Sequence, residues 1–271
     1  YAMRPDDFAV ASEERGFDSV WLPEHTHIPA SRRTPFPGGG DLPKEYWHIL
    51  DPFVALTAAA IATKTIKVAT GVCLVTERDP IVTAKEVATL DLLSNGRFLF
   101  GIGAGWNAEE MENHGTAFAE RWKVLEERIG AMKACWTQEE SSYHGRHVSF
   151  DPIWSYPKPV QRPHPPIIMG AASPWGRERV ARFCDGWVPL PAQMKNIAVE
   201  LADLETRLVR HGRKLSDIEI SFFWAPTDVD ELKRYRDLGV HRVILACPAD
   251  GKDATLRLLD QHAALMRAVG G

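Results

Sequence analysis

Asp6-Asp7-Phe8-Ala9-Val10-Ala11-Ser12-Glu13-Glu14-Arg15, stopped by Gly16, reads as an amphipathic helix, and Ser19-Val20-Trp21-Leu22 behind it reads as a strand. This order sets the frame. From here to the C-terminus strand-like and helix-like runs alternate, seven strands against eight helices, because the alternation begins on a helix. Strict alternation implies a parallel sheet with helices packed outside it. Eight helices and seven strands imply a TIM (β/α)8 barrel whose first strand is expected upstream of Tyr1. Barrel enzymes carry their chemistry on the loops that follow the strands, so each loop gains an address.

Working outward, Asp51-Pro52 opens an Ala-rich helix to Ala62, and Asp79-Pro80 repeats that cap for a helix ending near Leu93. Ile66 to Val75 reads as one strand between them. Phe118 to Trp136 reads as a long helix, with Trp122, Leu125, Ile129, Met132 and Trp136 at helical spacing. Pro23 to Asp51 is a connection too long to be a mere turn. In 139–166, six prolines from Pro152 to Pro166 are expected to forbid regular structure, so 139–165 reads as an insertion folded over the barrel. Loops 26–50 and 139–165 are candidate lids. The alternation then resumes to Ala268, and residues 1–271 read as one domain.

The 271 residues are 45% hydrophobic and 25% charged, which supports a full core and excludes global disorder. The net charge of −4 is spread through the chain, without a basic stripe for nucleic acid or a polybasic membrane patch. No apolar run approaches the ~18 residues that span a bilayer. Cys73, Cys135, Cys184 and Cys247 are scattered, as suits a reducing cytoplasm.

Several strand-end loops carry chemistry. His25, in Pro23-Glu24-His25-Thr26-His27, stands where a side chain points at the barrel mouth, and imidazole exchanges a proton near neutral pH. The bland alternative is a hydrogen-bonded loop histidine beside a solvated Glu24. His25 and His27 also suggest a metal pair, but Met169, Val188 and Leu245 hold the other strand ends without adding a ligand. Gly101-x-Gly103-x-Gly105 falls short of a dinucleotide fingerprint, because Trp106 stands where its last glycine belongs. Those glycines suit either the close approach of a flat ligand or a structural turn. Gly170-Ala171-Ala172-Ser173-Pro174-Trp175-Gly176 exposes backbone N–H groups at a helix start, which suits a phosphate, with Arg177 and Arg179 as added charge; an ordinary cap by Ser173 is the alternative. Most of the nine tryptophans are expected between helices and sheet, leaving Trp106 and Trp175 as ligand candidates.

The runs Phe17–His25, Ala69-Thr70-Gly71-Val72, Arg78-Asp79-Pro80, Leu90–Trp106, Lys158–Ile167 and Asp185-Gly186-Trp187 together resemble the luciferase-like monooxygenase superfamily. The closest resemblance is to the branch that uses the deazaflavin coenzyme F-420, with the FMN branch as the alternative. It implies a barrel of the bacterial-luciferase type, commonly a homodimer, with a flavin-type ring at the C-terminal face. It also implies a bulge with a non-proline cis peptide between Gly71 and Val72 against the ring. The family's strand-end histidine falls on His25 and its phosphate segment on Gly170 to Gly176. The contacts so expected are Gly71, Val72, Cys73, Gly103, Trp106, Gly170, Ala171, Ala172, Ser173, Trp175 and Gly176. Some members place an acidic residue at Trp106 and a tryptophan at Pro29, and Glu109 and Glu110 lie further along the loop, which points to another substrate.

The expectation is therefore a cytoplasmic oxidoreductase acting on a small organic molecule, with His25 as general acid or base tuned by Glu24 or by burial. An FMN-dependent monooxygenase on the same barrel is the nearest rival. A metal-dependent hydrolase and a catalytically silent flavin-binding homologue are more distant ones.

Overall fold

The computed structural model describes residues 3–248 and 250–270. The strands are β1 (Ser19–Leu22), β2 (Lys67–Thr70), β3 (Cys73–Leu74), β4 (Phe98–Gly103), β5 (Ser141–His144), β6 (Ser149–Ile153), β7 (Ile167–Met169), β8 (Gly186–Trp187), β9 (Glu219–Phe223) and β10 (Arg242–Ile244). The α-helices are α1 (Pro5–Glu14), α2 (Pro52–Ala62), α3 (Pro80–Leu93), α4 (Ala108–Asn113), α5 (Arg121–Thr137), α6 (Pro174–Phe183), α7 (Ile197–Arg210), α8 (Val229–Asp237) and α9 (Lys252–Val269). All but β5 and β6 join one eight-stranded parallel sheet in the order β1-β2-β4-β7-β8-β9-β10, with β3 also on β4. The result is a near-closed α/β barrel. No helix among the described residues is long and apolar enough to cross a membrane.

Local chemistry explains the elements. Asp51 accepts a hydrogen bond from Val54 N at 2.9 Å, Asp79 from Ile81 N and Val82 N at 2.9 Å each, and Ser173 from Gly176 N at 3.1 Å. Each cap precedes a proline at the first helical position, where its missing N–H costs nothing. Alternation along the strands divides the core into two layers. Phe98, Phe100, Ile167 and Met169 face the helices, whereas Leu99 and Ile168 join Ala69, Val188, Trp21, Val72, Phe223 and Ile244 inside the barrel. The lumen is thus packed, and ligands are left to its C-terminal mouth.

The strand expected over 66–75 is broken. Ala69 pairs with Leu99 and Cys73 with Ile102, so four steps on one side match three on the other. That extra residue makes a bulge at Gly71-Val72, and the peptide between them is cis. Both features agree with the resemblance.

Two expectations fail. Segment 139–153 is not irregular: β5 and β6 form an antiparallel hairpin, with Pro152 inside β6. A two-stranded ribbon has free outer edges, and a proline sits on one without losing a ladder bond. This insertion is also fastened down. The Glu127 carboxylate of α5 accepts from His147 N and Val148 N, and Asp91 of α3 accepts from Val160 N and Gln161 N. Since Gln161 also reaches the carbonyl of Phe98, where β4 begins, this end of the segment lies away from the mouth and is no lid over it. The tryptophans are the second correction. Trp47, Trp154, Trp175 and Trp224 are more than half exposed, and Trp21 lies in the lumen.

Candidate active site

His25 follows β1 at the mouth, with its side chain only 6% exposed. Its Nδ1 lies 2.7 Å from Glu110 Oε2, and the Glu110 side chain is fully buried. A carboxylate only accepts, so Nδ1 carries the proton and Nε2 the lone pair. The partner is therefore Glu110; of the two expected influences, Glu24 is not the neighbour, whereas burial of His25 itself is present. Glu24 is itself buried, not solvated; it accepts from Leu74 N at 2.6 Å and from Arg78 Nε at 2.5 Å, bracing the mouth.

Glu110 reaches His25 because α4 intervenes, a short helix the strand/helix alternation conceals. Gly105, at φ 76°, turns the chain after β4, and the helix folds the carboxylate back. The signal was Asn107-Ala108-Glu109-Glu110, a cap-type residue followed by acids in the first turn. Asn107 was missed as well. It is 1% exposed, and neither its Oδ1 nor its Nδ2 has a hydrogen-bond partner. An orphaned amide beside the mouth is unused binding capacity.

Aromatic side chains enclose His25. Trp106 lies edge-on at 5.7 Å between ring centroids, Tyr46 at 5.4 Å, and Phe36 contacts both of the others. Phe36 and Tyr46 belong to the long loop after β1, which thus covers the mouth as a lid would. Glu109 latches it, accepting from Thr34 Oγ1 at 2.5 Å and Thr34 N at 3.1 Å, and also from Arg33 N. These bonds, the Thr34 hydroxyl first, pull its carboxyl down to about 2. The latch is therefore fully present above the unfolded value of about 4.3 and is lost as pH falls toward 2. Glu109→Gln is expected to speed hydrogen exchange at the Arg33 and Thr34 amides about tenfold, while barrel amides keep their protection.

The glycines are explained by neighbouring protein atoms. A Cβ on Gly103 would stand 2.7 Å from Val72 Cγ2, and one on Gly170 3.2 Å from Val72 Cγ1. Gly71 leaves the same kind of room for Phe223 and Trp21. Val72 is therefore seated between two strand-end glycines, which brings Gly71, Val72, Gly103 and Gly170 together. Cys73 does not join them: its side chain is buried in the outer core, where burial pushes the thiol well up.

After β7, the Ala171 carbonyl accepts from Trp187 Nε1 at 2.7 Å, and a Cβ on Gly176 would meet Ala171 Cβ at 2.5 Å. Both constraints hold Ala171-Ala172-Ser173 as an open turn at the start of α6, with Trp175 exposed beside it. The two arginines brace this turn from the protein side, Arg177 donating to the Ala172 carbonyl at 2.8 Å and Arg179 to the Trp175 carbonyl at 3.0 Å. Arg177 is committed to Glu200 and Asp203, and Arg179 to Glu126. The two histidines do not converge on a metal: His27 turns to Thr26 and Asn113.

The chain belongs to the luciferase-like monooxygenase family, whose model matches residues 5–241. Members of that family are oxidoreductases. An uncharacterized protein of Mycobacterium tuberculosis is 40% identical over 269 residues, covering 97% of this chain and 93% of that one. An F420-dependent glucose-6-phosphate dehydrogenase of Amycolatopsis mediterranei is 31% identical over 186 residues, 67% of this chain and 51% of the relative. An FMNH2-dependent dimethylsulfone monooxygenase of Pseudomonas putida is 30% identical over 158 residues, 57% of this chain and 43% of the relative. This chain thus aligns with only about half of each of these two characterized relatives. Among solved structures, monooxygenase RslO1 of Streptomyces bottropensis superposes with a TM-score of 0.79 at 20% identity, over 97% of this chain and 92% of that one. An F420-dependent secondary alcohol dehydrogenase gives 0.77 at 17% identity, over 100% and 96%. At those identities the likeness is one of fold.

Proposed function

We propose that the protein is a deazaflavin-dependent oxidoreductase that uses coenzyme F-420 to exchange hydride with a small organic substrate. The observation that carries this reading is the bond between His25 and Glu110, which fixes a proton-exchanging nitrogen at the mouth. Hydride transfer from an alcohol carbon needs a base to take the hydroxyl proton, and a positioned imidazole does so near neutral pH.

The residues fit a flat ring with an anionic tail. Asn107 has unused donors and acceptors. Val72, between Gly103 and Gly170, offers an apolar face, and Trp106 a second. The backbone of Gly170, Ala171, Ala172 and Ser173, at the N-terminus of a ten-residue helix, suits phosphate, with Trp175 and Gly176 at its border. When bound, the deazaflavin supplies the hydride chemistry, while the protein orients and shields it. In this reading His25 Nε2 exchanges a proton with the substrate, Glu110 holds the imidazole tautomer, and the loop carrying Phe36 and Tyr46 excludes water.

A homodimer and a cytoplasmic setting complete the proposal. Val54 and Ile61 on α2, with Val82, Leu92 and Leu93 on α3, are exposed apolar side chains that a second copy would cover. Anaerobic turnover of F-420 with a panel of alcohols and ketones tests the activity, set against oxygen uptake with reduced FMN. Substrate-dependent absorbance change of F-420 without oxygen uptake is the expected result. Oxygen consumption coupled to reduced FMN, with F-420 inert, would select the monooxygenase reading instead.

A further inference from the structure

We propose that Glu77 completes a buried proton relay that runs from His25 through Glu110 and Glu77 to the cleft lined by His114, Arg128 and His147. The proposal rests on the reading of His25 as the acid–base group, and it adds a route by which that group exchanges protons with water. The cleft has a volume of about 370 Å³ and is bordered by Pro80 and Ile81 at the start of α3 and by Ser149 and Phe150 of the hairpin.

Unsatisfied atoms point to the relay. Glu110 Oε2 receives the Nδ1 proton of His25, but Glu110 Oε1 is buried with no donor. Glu77 Oε2 is buried with no donor either. The two side chains are 0% and 1% exposed, and Glu110 is the charged group that acts most strongly on Glu77. Two ionised carboxylates close together, out of water, repel strongly. One proton shared between them removes the repulsion and supplies the orphaned oxygens.

The surroundings agree. Glu24 and Glu110 face Glu77 as like charges, and Asp79 follows closely in the chain. Arg78 is already committed to Glu24, Asp51 and Glu86, and Arg128 donates to the carbonyl of Val75. His114 and His147 border the same cleft. Burial first, then Glu110 and Glu24, raises the Glu77 carboxyl to about 9, so it carries a proton at neutral pH. At the outer end His114 Nε2 is 3.9 Å from Glu77 Oε2 and 2.7 Å from Thr26 Oγ1, and its side chain is 28% exposed. A modest rotation or one bridging water closes that gap.

The transfer balances without electrons. A proton entering at His25 Nε2 releases the Nδ1 proton to Glu110, the carboxyl pair passes one on, and one leaves through His114. The starting tautomer returns by proton exchange: when the mouth opens, Nε2 gives its proton to water and Nδ1 regains one from the carboxyl pair, so the net result is one substrate proton delivered to solvent.

The test is a 15N-histidine NMR titration of cofactor-free protein between pH 6 and 10, for wild type and Glu77→Gln. Gln matches the size and neutrality of the protonated acid. In wild type the His25 nitrogens are expected to show a step near pH 9 as Glu77 ionises. In Glu77→Gln the step is lost and the His25 tautomer is kept. Identical His25 responses in the two proteins would overturn the relay. In loaded enzyme, Glu77→Gln is expected to lower kcat about tenfold with KM unchanged and to enlarge the solvent deuterium effect. His114→Gln interrupts the outer end alone, lowering kcat while the His25 step persists, and so keeps the test alive if Glu77→Gln does not fold. A step absent from wild type while turnover still depends on His25 rejects the relay only. Turnover that survives His25→Asn rejects the reading beneath it.

Discussion

His25→Asn is expected to lower kcat by about two to four orders of magnitude and to leave cofactor affinity unchanged. The size follows from what is removed. Asparagine places an N–H donor near the position of imidazole Nδ1, so Glu110 keeps its bond and no buried charge is stranded. Only the Nε2 lone pair is lost, and with it the proton acceptor at the mouth. Alanine would be a poorer probe, because it leaves the buried Glu110 without its donor and mixes loss of catalysis with loss of stability. Steady-state kinetics with a ligand-binding control separates the two contributions. Turnover within a few-fold of wild type would remove His25 from the chemistry.

Gly101→Ala is expected to be the most damaging single-methyl addition in the barrel. A Cβ there would stand 2.0 Å from the carbonyl oxygen of Thr70, far inside contact distance. The obstacle is backbone of the neighbouring strand, and Thr70 Oγ1 also donates to the Gly101 carbonyl at 2.7 Å. Relief requires β2 and β4 to part beside the Gly71-Val72 bulge. A loss of about 3–5 kcal/mol is expected, which lowers Tm by roughly 10 °C in a chain of this size or prevents folding. Gly115→Ala is the control. Its φ is 78° but no atom lies within 4 Å of the added Cβ, so only the backbone cost of about 1 kcal/mol applies. Thermal unfolding of both variants measures the contrast, and equal Tm values would refute the account of Gly101.

The barrel was legible in the sequence because its signals are local. Asp51-Pro52, Asp79-Pro80 and Ser173-Pro174 announce helix starts, and the β-branched and aromatic runs between them announce strands. The bulge at Gly71-Val72 came from resemblance, since nothing in strand periodicity marks it. The hairpin β5–β6 was hidden by the weight given to prolines, whose cost vanishes at the edge of a ribbon. Partner choice was the least legible. Glu24 is adjacent to His25 in sequence, but two bonds from β3 and Arg78 turn it away, and Glu110 arrives from 85 residues downstream. The pairing of Glu110 with Glu77 follows from burial, which composition and spacing do not record. Four exposed tryptophans likewise show that an aromatic residue type does not by itself assign a layer.

The mouth beside His25 is proposed to receive a planar ring with a phosphate tail, the deazaflavin. Equilibrium dialysis of the purified protein against F-420 and against FMN, with the absorption spectrum of each retained fraction, tests it most directly. Saturable retention of F-420 at one per chain, with a perturbed spectrum and negligible FMN, is the expected result. Tight FMN with negligible F-420, or retention of neither, would contradict it.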